Sequence, residues 1–372
     1  MKIRVVLAFD CNNMLHNTKY MFEYLNQIED YEIKYIINNN DLKEKLIQKY
    51  GNKFIGTKTK EDRKYIKNAD VWLLDGGMPI KNIFYMRKKL IINLWHGIPI
   101  KKVGIYCYRF SLKKIGLIFQ QLLFRPFVTA YITSSSKLIE IMSKSFLVPK
   151  KKILILGQPR NDFLLIKQSK NLLFQKYKNL KYDLNTKIVL YAPTWRNSKY
   201  GTSMHNETKY FPFDDFNYND FNEFLKENNI IFFLRPHPLE TLNLQDYSNI
   251  KILGVDICSN INDILNLFDL LITDYSSIFI DYLLLNLPII LLPYDLEYYK
   301  QAKGLNFEFD DVNPGPNIIN YSNFKIELIK LLLDNSYYEE RRKYLNDMFN
   351  EIKSNSAQKI EQYIRENIKC KK

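Results

Sequence analysis

Short runs of apolar residues recur along the chain, each bounded by polar or turn-forming residues and followed by a longer amphipathic stretch. Uninterrupted apolar runs are typical of parallel strands that are buried on both faces. The first series of predicted strands is Ile3–Phe9, Glu32–Ile37, Val71–Leu74, Leu90–Leu94, Ala130–Thr133 and Ile153–Leu156. The second series is Ile188–Tyr191, Ile230–Leu234, Ile250–Leu253, Leu270–Thr273 and Ile289–Leu292. Strand–helix alternation in two series predicts an α/β protein with two doubly wound domains.

The connection between these domains is predicted in the stretch 163–186, which is rich in lysine and weak in strand signal. We predict an amino-terminal Rossmann-like domain over residues 1–170 and a carboxyl-terminal one over 171–345. Amphipathic sequence towards the end predicts closing helices, and residues 346–372 are expected to pack back across the cleft between the domains. In doubly wound sheets ligands bind beyond the carboxyl ends of the strands, so the residues there are the functional candidates.

The residue composition, net charge and cysteine spacing limit the classes of protein to which this chain can belong. A chain of 372 residues with 46% hydrophobic and 25% charged residues has an ordinary globular balance, which excludes a disordered or fibrous protein. An excess of 54 Lys and Arg over 40 Asp and Glu gives a net charge of +14 and favours an anionic partner. The 4 cysteines form no CxxC pair, which argues against a zinc ribbon or disulfide framework and indicates reduced thiols in a cytosolic protein.

Two of the 4 histidines follow predicted strands within a few residues, one in each domain. His96 is followed by Gly97, which leaves the imidazole with little side-chain cover at the sheet edge. Imidazole suits general-base chemistry near neutral pH, and a core or loop histidine is the alternative explanation. His237 lies in the sequence RPHP, where two prolines fix the backbone and Arg235 is close by. That arrangement suits a pyrophosphate site, with a buried structural histidine as the alternative.

Hydroxyl, carboxyl and guanidinium groups follow two further strands. After Ile188–Tyr191, Arg196 could clamp a phosphate and Thr194 could donate a hydrogen bond to one. After Leu270–Thr273, the sequence DYSS (274–277) opens a helix, where hydroxyls and free N–H groups suit an anion. A surface turn and ordinary helix capping are the structural alternatives at these two places.

Several chemistries are excluded because their motifs are absent. The sequence has no GxGxxG, GxxxxGK[ST] or GxSxG motif and no histidine pair at i, i+4. This argues against the dinucleotide fingerprint, the P-loop, a serine hydrolase and a zinc hydrolase. No metal site is predicted, and no cofactor is firmly expected. Assistance by Mg²⁺ stays open, although no dedicated carboxylate cluster is visible.

Five stretches in order are similar to the CDP-glycerol glycerophosphotransferases, which build teichoic acids and related capsule polymers. They are LWHGIPIKKVG (94–104), SSSKLIEIMSKSF with GQPRND (134–162), LYAPTWR (190–196), RPHP (235–238) and TDYSSIFIDYLLLNLPIILLPYDLEYY (273–299). They cover roughly residues 90–317, and their joint order is specific although each one alone is weak. The chain resembles the short, primase-like members because little sequence lies outside the two domains, but primase versus polymerase stays open.

The resemblance implies a GT-B fold, in which two Rossmann-like domains face each other across a cleft. It also implies transfer of glycerol phosphate from CDP-glycerol to a hydroxyl of a lipid-linked acceptor, with release of CMP. His96 matches the family's general base, and His237 matches the histidine that contacts the donor pyrophosphate. The other donor-side candidates are Thr194, Arg196, Arg235, Asp274, Ser276, Ser277, Lys303 and Gly304. The acceptor-side candidates are Asn12, His16, Gly97 and Lys101.

Some positions depart from the family pattern. The family usually has Arg-Gly where this chain has Lys303-Gly304, and Phe-Asp where it has Phe307-Glu308. Lysine keeps the positive charge but loses the fork of two donors that arginine presents. The polyol is therefore in doubt, and CDP-ribitol or another CDP-polyol stays an alternative donor. The first 90 residues match the family poorly.

The stretch 101–128 carries six basic residues, no acidic residue, and Leu, Ile and Phe between them. This composition is typical of an amphipathic helix at a membrane interface, with a basic helix that packs one face in the core as the alternative. Because the expected acceptor is lipid-linked, we expect peripheral binding to an anionic membrane surface on the cytoplasmic face. No signal peptide and no transmembrane helix are expected.

Three other functions stay open at this point. A GT-B enzyme that acts on a nucleotide sugar, either a glycosyltransferase or an epimerase, would share the fold. A nucleic-acid-binding module would fit the net charge, but no RNP motif, zinc-finger spacing or recognition helix appears, so no nucleic acid partner is expected. An inactive family member is disfavoured because both His96 and His237 are retained.

Overall fold

The computed structural model describes residues 2–107, 112–177, 180–194, 210–211, 213–236, 244–318 and 320–368. The chain forms two compact units, each built from discontinuous sequence. The first unit contains residues 1–98, 109–163 and 350–372, and the second contains residues 99–108 and 164–349. The chain thus passes into the main part of the second unit after residue 163, where the sequence predicts a boundary after residue 170.

Parallel strands and connecting helices alternate through both units. The strands are β1 (Ile3–Ala8), β2 (Tyr31–Ile36), β3 (Phe54–Ile55), β4 (Val71–Leu74), β5 (Leu90–Asn93), β6 (Ala130–Thr133), β7 (Ile153–Ile155), β8 (Lys187–Tyr191), β9 (Ile230–Leu234), β10 (Ile250–Ile252), β11 (Leu270–Thr273) and β12 (Ile289–Leu291). The helices are α1 (His16–Leu25), α2 (Asn40–Tyr50), α3 (Lys60–Asn68), α4 (Ile83–Met86), α5 (Leu112–Phe124), α6 (Ile139–Phe146), α7 (Pro159–Leu164), α8 (Asn171–Phe174), α9 (Tyr218–Glu227), α10 (Ile278–Tyr282), α11 (Leu296–Ala302), α12 (Phe309–Val312), α13 (Tyr321–Leu333), α14 (Glu339–Phe349) and α15 (Ser356–Ile368).

Local sequence explains where several helices begin. The side chains of Asn39, Thr59, Asn217 and Asn320 each accept a backbone N–H from the first turn of the helix that follows. These bonds satisfy N–H groups that have no partner within the helix.

The first unit contains a seven-stranded sheet in the order β3-β2-β1-β4-β5-β6-β7. All neighbouring strands are parallel. The strand order reverses between β1 and β4, so the segments after these two strands diverge there and leave a crevice. Ala357, Ile360 and Ile364 of α15 are buried in the same core as β1. Their helical spacing explains how the last helix closes this unit.

The second unit repeats the topology with five parallel strands in the order β10-β9-β8-β11-β12. Its order reverses between β8 and β11. Phenylalanine and tyrosine side chains from β8, β9, α9 and α13 fill one face of the sheet, among them Tyr191, Phe221, Phe232 and Phe324. The predicted α/β class with two parallel sheets is confirmed.

All eleven predicted strands are present, and the described residues contain one further strand that was not predicted. The missed strand β3 is two residues long and pairs with Tyr35 and Ile36 of β2 at the edge of the sheet. So short a strand leaves no periodic pattern in the sequence, and only its position beside β2 identifies it.

The basic stretch 101–128 does not form one amphipathic helix, contrary to the expectation. Residues 99–107 lie in the second unit, where Lys101 pairs in antiparallel fashion with Leu305. The Asn306 side chain donates to the carbonyls of Pro99 and Lys101 at 2.8 and 2.9 Å. These bonds hold residues 99–101 against the loop that contains Asn306. A short 3-10 helix follows over Gly104–Cys107, and α5 covers Leu112–Phe124.

Candidate functional site

His96 lies beyond the carboxyl end of β5 in the first unit, two strands from β1. Its Nδ1 lies 2.7 Å from the backbone carbonyl oxygen of Asp75, which directly follows β4. A carbonyl oxygen only accepts hydrogen bonds, so Nδ1 carries the proton and Nε2 carries the lone pair. The geometry therefore selects the tautomer in which Nε2 can accept a proton.

Three successive carbonyls of the loop that carries this imidazole are held by two buried side chains. Asn17 Nδ2 donates to the carbonyls of Leu94 and Trp95 at 3.3 and 2.9 Å. Arg160 Nη1 donates to the carbonyl of His96 at 2.5 Å, and the Arg160 N–H donates to Asn17 Oδ1 at 3.2 Å. Trp95 has a φ of 55°, a strained conformation for a bulky residue that persists where surrounding bonds determine the loop.

The Asp75 carboxyl group anchors the opposite side of this arrangement. It is fully buried, and its Oδ2 accepts hydrogen bonds from the Thr18 N–H at 2.8 Å and the Thr18 hydroxyl at 2.7 Å. The hydroxyl of Tyr35 lies 2.8 Å from Thr18 Oγ1. Burial raises the pKa of Asp75 to about 8, although the Thr18 hydrogen bonds and the charge of Arg160 oppose the rise. The carboxyl group is therefore largely protonated at neutral pH.

His16 is the second imidazole of the crevice, at the start of α1. Its ring centroid lies 5.5 Å from that of His96 and 4.6 Å from that of Phe9, which it meets edge-on. Burial lowers the pKa of His96, the bond to the Asp75 carbonyl opposes this, and Arg160 lowers it further. Burial, the charge of His96 and the charge of Arg160 all lower the pKa of His16. Both imidazoles are therefore neutral at physiological pH.

The remaining predicted acceptor-side residues lie in different places. Asn12 is in an exposed turn, where its N–H donates to Asp10 Oδ1 at 2.8 Å. Gly97 is half-buried and follows His96 directly. Lys101 lies in the second unit, on the extended segment that pairs with Leu305.

In the second unit, Asp274 and Thr194 join the loops that follow β11 and β8, at the reversal of strand order. The Asp274 carboxyl accepts the Thr194 N–H at 2.9 and 3.0 Å and the Thr194 hydroxyl at 2.6 Å. It also accepts the N–H of Tyr275 at 2.6 Å. Asp274 is 1% exposed, so in this geometry it positions the two loops. A direct contact with a ligand stays a prediction.

Ser276 and Ser277 come next in this loop and are half-buried. Neither hydroxyl is hydrogen-bonded to another residue of the described part of the chain. Arg235 follows β9, and its Nη1 donates to the carbonyls of Leu253 and Cys258 at 3.3 and 2.9 Å. One edge of its guanidinium is thus anchored to the backbone of the loop after β10.

Lys303 and Gly304 follow α11 and lie beside the segment that contains Lys101. Gly304 has a φ of 74°, and its carbonyl accepts the N–H of Lys102 at 3.0 Å. A Cβ at this position would displace the flexible Lys102 side chain, and the left-handed φ favours glycine. Lys303 and Lys101 both lower the pKa of the Cys107 thiol, against the larger effect of burial, which raises it. The two ammonium groups therefore lie in the same neighbourhood of the second unit.

His237 and Arg196, the other two predicted donor-side residues, lie outside the described residues. Within the described ranges, no group of three or more His, Cys, Asp or Glu side chains is arranged to hold a metal ion.

Sequence reasoning missed the residues that hold His96, namely Asn17, Thr18, Asp75 and Arg160. A signal existed for Asp75, because it directly follows the predicted strand Val71–Leu74 and precedes two glycines. The others come from the first turns of α1 and α7, and only the fold brings them to the histidine.

The helix α5 presents an apolar stripe to solvent. Leu112, Ile115, Phe119, Leu122 and Leu123 are all exposed, at the spacing of one helix face. Such a stripe usually faces the core of a globular protein, and here it does not. Within the described residues no helix combines the length and apolar character that crossing a bilayer requires.

Two doubly wound units, each with polar side chains gathered where its strand order reverses, define the GT-B fold class. The chain belongs to the CDP-glycerol:poly(glycerophosphate) glycerophosphotransferase family, whose sequence profile matches residues 2–366. The resemblance inferred from the five motifs is thereby confirmed.

Known relatives place the chain within this family. It is 31% identical to the teichoic acid poly(glycerol phosphate) polymerase of Bacillus spizizenii, over 81% of this chain and 76% of the relative. It is 27% identical to the teichoic acid ribitol-phosphate polymerase TarL of Staphylococcus aureus, over 73% of this chain and 46% of the relative. The chain thus spans about half the length of TarL. The wall teichoic acid polymerase TagF superposes with a TM-score of 0.79 at 22% identity, over 98% of this chain and 89% of that chain. That likeness shows the fold.

Proposed function

We propose that this protein transfers glycerol phosphate from CDP-glycerol to a hydroxyl of a membrane-linked saccharide or polyol-phosphate acceptor. CMP is released, and the product belongs to a teichoic acid or capsular polymer. Family membership supports this reaction class, and the poly(glycerol phosphate) polymerase among the relatives supports the glycerol donor.

The observation that carries the proposal is the geometry of His96. Its Nδ1–H is committed to the Asp75 carbonyl, and the neutral ring has its lone pair at Nε2. In the proposed step the acceptor oxygen attacks the β-phosphorus and its proton passes to Nε2. The bond from the β-phosphorus to the bridging oxygen breaks, and CMP leaves with the electron pair. A positioned base contributes about 10²–10⁴ to such a rate.

We assign the CDP group to the second unit and the acceptor to the first. Phosphoryl transfer depends mainly on positioning and on stabilising charge. The hydroxyls of Ser276 and Ser277 and the positive charges of Lys303 and Arg235 supply suitable groups in the second unit. Arg196 and His237 are assigned to the donor site on the basis of the sequence alone.

Residues 346–372 are assigned, also from the sequence, to helices that close the cleft.

The test is release of CMP from CDP-glycerol in the presence of a lipid-linked disaccharide acceptor. CDP-ribitol and a UDP-sugar are assayed beside it. Release from CDP-glycerol that is lost in His96→Ala and kept in His205→Ala supports donor, reaction class and base together. His205 is a suitable control because the sequence places it in a polar loop. Release from the UDP-sugar alone would contradict the proposal.

CDP-ribitol is the second candidate donor, since one relative is a ribitol-phosphate polymerase. Release of CMP from CDP-ribitol alone would keep the mechanism and change the polymer. The mass of the product then separates a single added unit from a chain.

We also propose that α5 binds peripherally to the anionic cytoplasmic face of the cell membrane. Its exposed apolar stripe supports this, together with the basic residues of the same stretch, each worth about 1 kcal/mol near an anionic leaflet. Ile83 and Phe84 of α4 are also exposed, and Lys81 next to them donates to Gln120 of α5 at 3.3 Å. They therefore extend the apolar surface beyond what the sequence indicated.

Co-sedimentation with vesicles that contain an anionic phospholipid tests the membrane proposal. We expect Phe119→Glu to reduce the bound fraction about tenfold at low salt, because it places a negative charge in the apolar stripe. Leu184→Glu is the matched control, since Leu184 is an exposed leucine of the second unit. Equal binding of both variants would refute the role of α5.

A further inference from the structure

Arg160 is a buried charged residue that the proposed mechanism does not use. It is 3% exposed and lies in the first turn of α7. Burying a guanidinium is costly, so its position calls for a function that a neutral donor would not fulfil. Its Nη1 donates to the carbonyl of His96 at 2.5 Å.

The contacts of Arg160 reach the histidine loop by two routes. One is the direct bond to the His96 carbonyl. The other runs through Asn17, which accepts the backbone N–H of Arg160 and donates to the carbonyls of Leu94 and Trp95, so this route does not depend on the guanidinium. A loop whose successive carbonyls are all held has little freedom to move its imidazole.

We propose that Arg160 is the positioning residue of the base. Its guanidinium fixes the loop that carries His96 and maintains a positive charge beside the two imidazoles of the crevice. This inference rests on the proposed role of His96 and extends it. A base must have its lone pair free, and the negative charge of a donor diphosphate favours the protonated imidazole. A fixed positive charge opposes that effect.

Titratable and charged groups face His96 from three elements. The Asp75 backbone carbonyl after β4 and the charge of Arg160 of α7 change the pKa of His96. The ring of His16 of α1 packs beside it, and the charge of His96 lowers the pKa of His16. Asp10, which follows the packed ring of Phe9, is engaged with the N–H groups of Asn12 and Asn13. Arg160 lowers the pKa of both His96 and His16, after the larger effect of burial.

The first measurement is a nuclear magnetic resonance titration of the histidine rings in the full-length protein. The chain has only 4 histidines, and His96→Ala and His16→Ala identify two of the signals. We expect both to titrate below the ordinary value of about 6.5 in the wild-type protein. In Arg160→Gln both midpoints should rise by roughly 0.5–1 pH unit, whereas Arg160→Lys should keep them low.

Arg342→Gln is the matched control. Arg342 is 1% exposed and donates to the carbonyls of Tyr337 and Asn286 in the second unit. This variant tests whether the loss of any buried arginine, even one in the other unit, changes the histidine titrations. We expect this variant to leave both titration midpoints unchanged.

The pH profile of kcat/KM is the second measurement. In Arg160→Gln the acid limb should move to higher pH with the midpoint, so activity falls several-fold more at pH 6 than at pH 8. An equal loss at every pH, with unchanged midpoints, would show a merely structural role. If Arg160→Gln does not fold, a wild-type His96 midpoint at or above 6.5 still overturns the proposal.

The titration needs no substrate, so it separates this inference from the proposed function. A protein that releases CMP from no CDP-polyol would refute the proposed function. The titration midpoints would still show whether the pKa values of His96 and His16 depend on Arg160.

Discussion

Both units have an aspartate–threonine pair at the point where the strand order of the sheet reverses. In each, an aspartate directly follows the strand beyond the reversal, and a threonine from the segment after the first strand donates to it twice. Thr18 donates to Asp75 at 2.8 and 2.7 Å. Thr194 donates to Asp274 through its N–H at 2.9 Å and its hydroxyl at 2.6 Å. The shared contact joins the loops that form each crevice.

The surroundings of the two aspartates differ. Both carboxylate oxygens of Asp274 accept hydrogen bonds. Asp75 has one oxygen with no partner among the described residues, and burial raises its pKa to about 8. In the first unit the aspartate also presents its carbonyl to His96. The same aspartate–threonine contact thus also holds the proposed base in one unit, and in the other it joins two loops.

The largest effect on turnover is expected from replacing His96, which has no counterpart in the described part of the second crevice. His96→Ala should lower turnover about 10²–10⁴-fold, because it removes the proposed base. Donor affinity should stay nearly unchanged, as measured by calorimetry with CDP-glycerol. A comparable loss of affinity would place His96 in donor binding instead.

Replacing Asp75 with asparagine should change how stability depends on pH. The folded state holds the Asp75 proton up to a pKa of about 8, whereas the unfolded chain releases it near 4. Raising the pH from about 4 to 8 therefore destabilises the wild-type fold, by up to about 1.4 kcal/mol per pH unit. Asp75→Asn cannot ionise, so its stability relative to wild type should rise across this window.

Urea unfolding followed by tryptophan fluorescence measures this, since Trp72 and Trp95 lie in the first unit. His16 and His96 also make stability depend on pH, but both proteins retain them and their contribution cancels. Identical pH slopes for the two proteins would contradict the buried, protonated Asp75.

Asp274→Ala should weaken donor binding about tenfold, because the partly buried Thr194 N–H loses its acceptor, at a cost of about 1–3 kcal/mol. Calorimetry with CDP-glycerol measures the loss. Asp269→Ala is the matched control. Asp269 precedes β11 at its other end, where it accepts the Ile188 N–H at 2.7 Å and pairs with Lys170. Equal losses in both variants would mean that the effect is general destabilisation.

The smallest effects are expected for the two threonines. Thr194→Val removes the hydroxyl hydrogen bond to Asp274, and Thr18→Val removes the hydroxyl contacts to both Asp75 and Tyr35, each contact being worth about 1 kcal/mol. We expect Thr18→Val to be the more destabilising, since Asp75 has no hydrogen-bond donor to its carboxyl other than Thr18 in the described chain. Asp274 keeps the N–H of Tyr275. The reverse order in urea midpoints would contradict this reason.

Much of the fold follows from local pattern. Apolar runs such as Val71–Leu74 and Leu270–Thr273 are continuous because both faces of a parallel sheet are covered. Their number and order predict the two doubly wound units, and the polar residue after each run marks the crevice. His96 and Asp274 were found in this way. The edge strand Phe54–Ile55 and the extended course of residues 99–103 were not, since both depend on pairing with distant backbone.

The sequence by itself determined the two sheets, the family and the histidine expected to act as base. Only the tertiary structure decided how that histidine is held. Asn17, Asp75 and Arg160 lie far apart in the chain, and their hydrogen bonds to the histidine loop form only when β1, β4, β5 and α7 are assembled. A period of 2 or 3.6 residues records which side chains are buried. It does not record which buried polar groups meet, because that depends on distances across the fold.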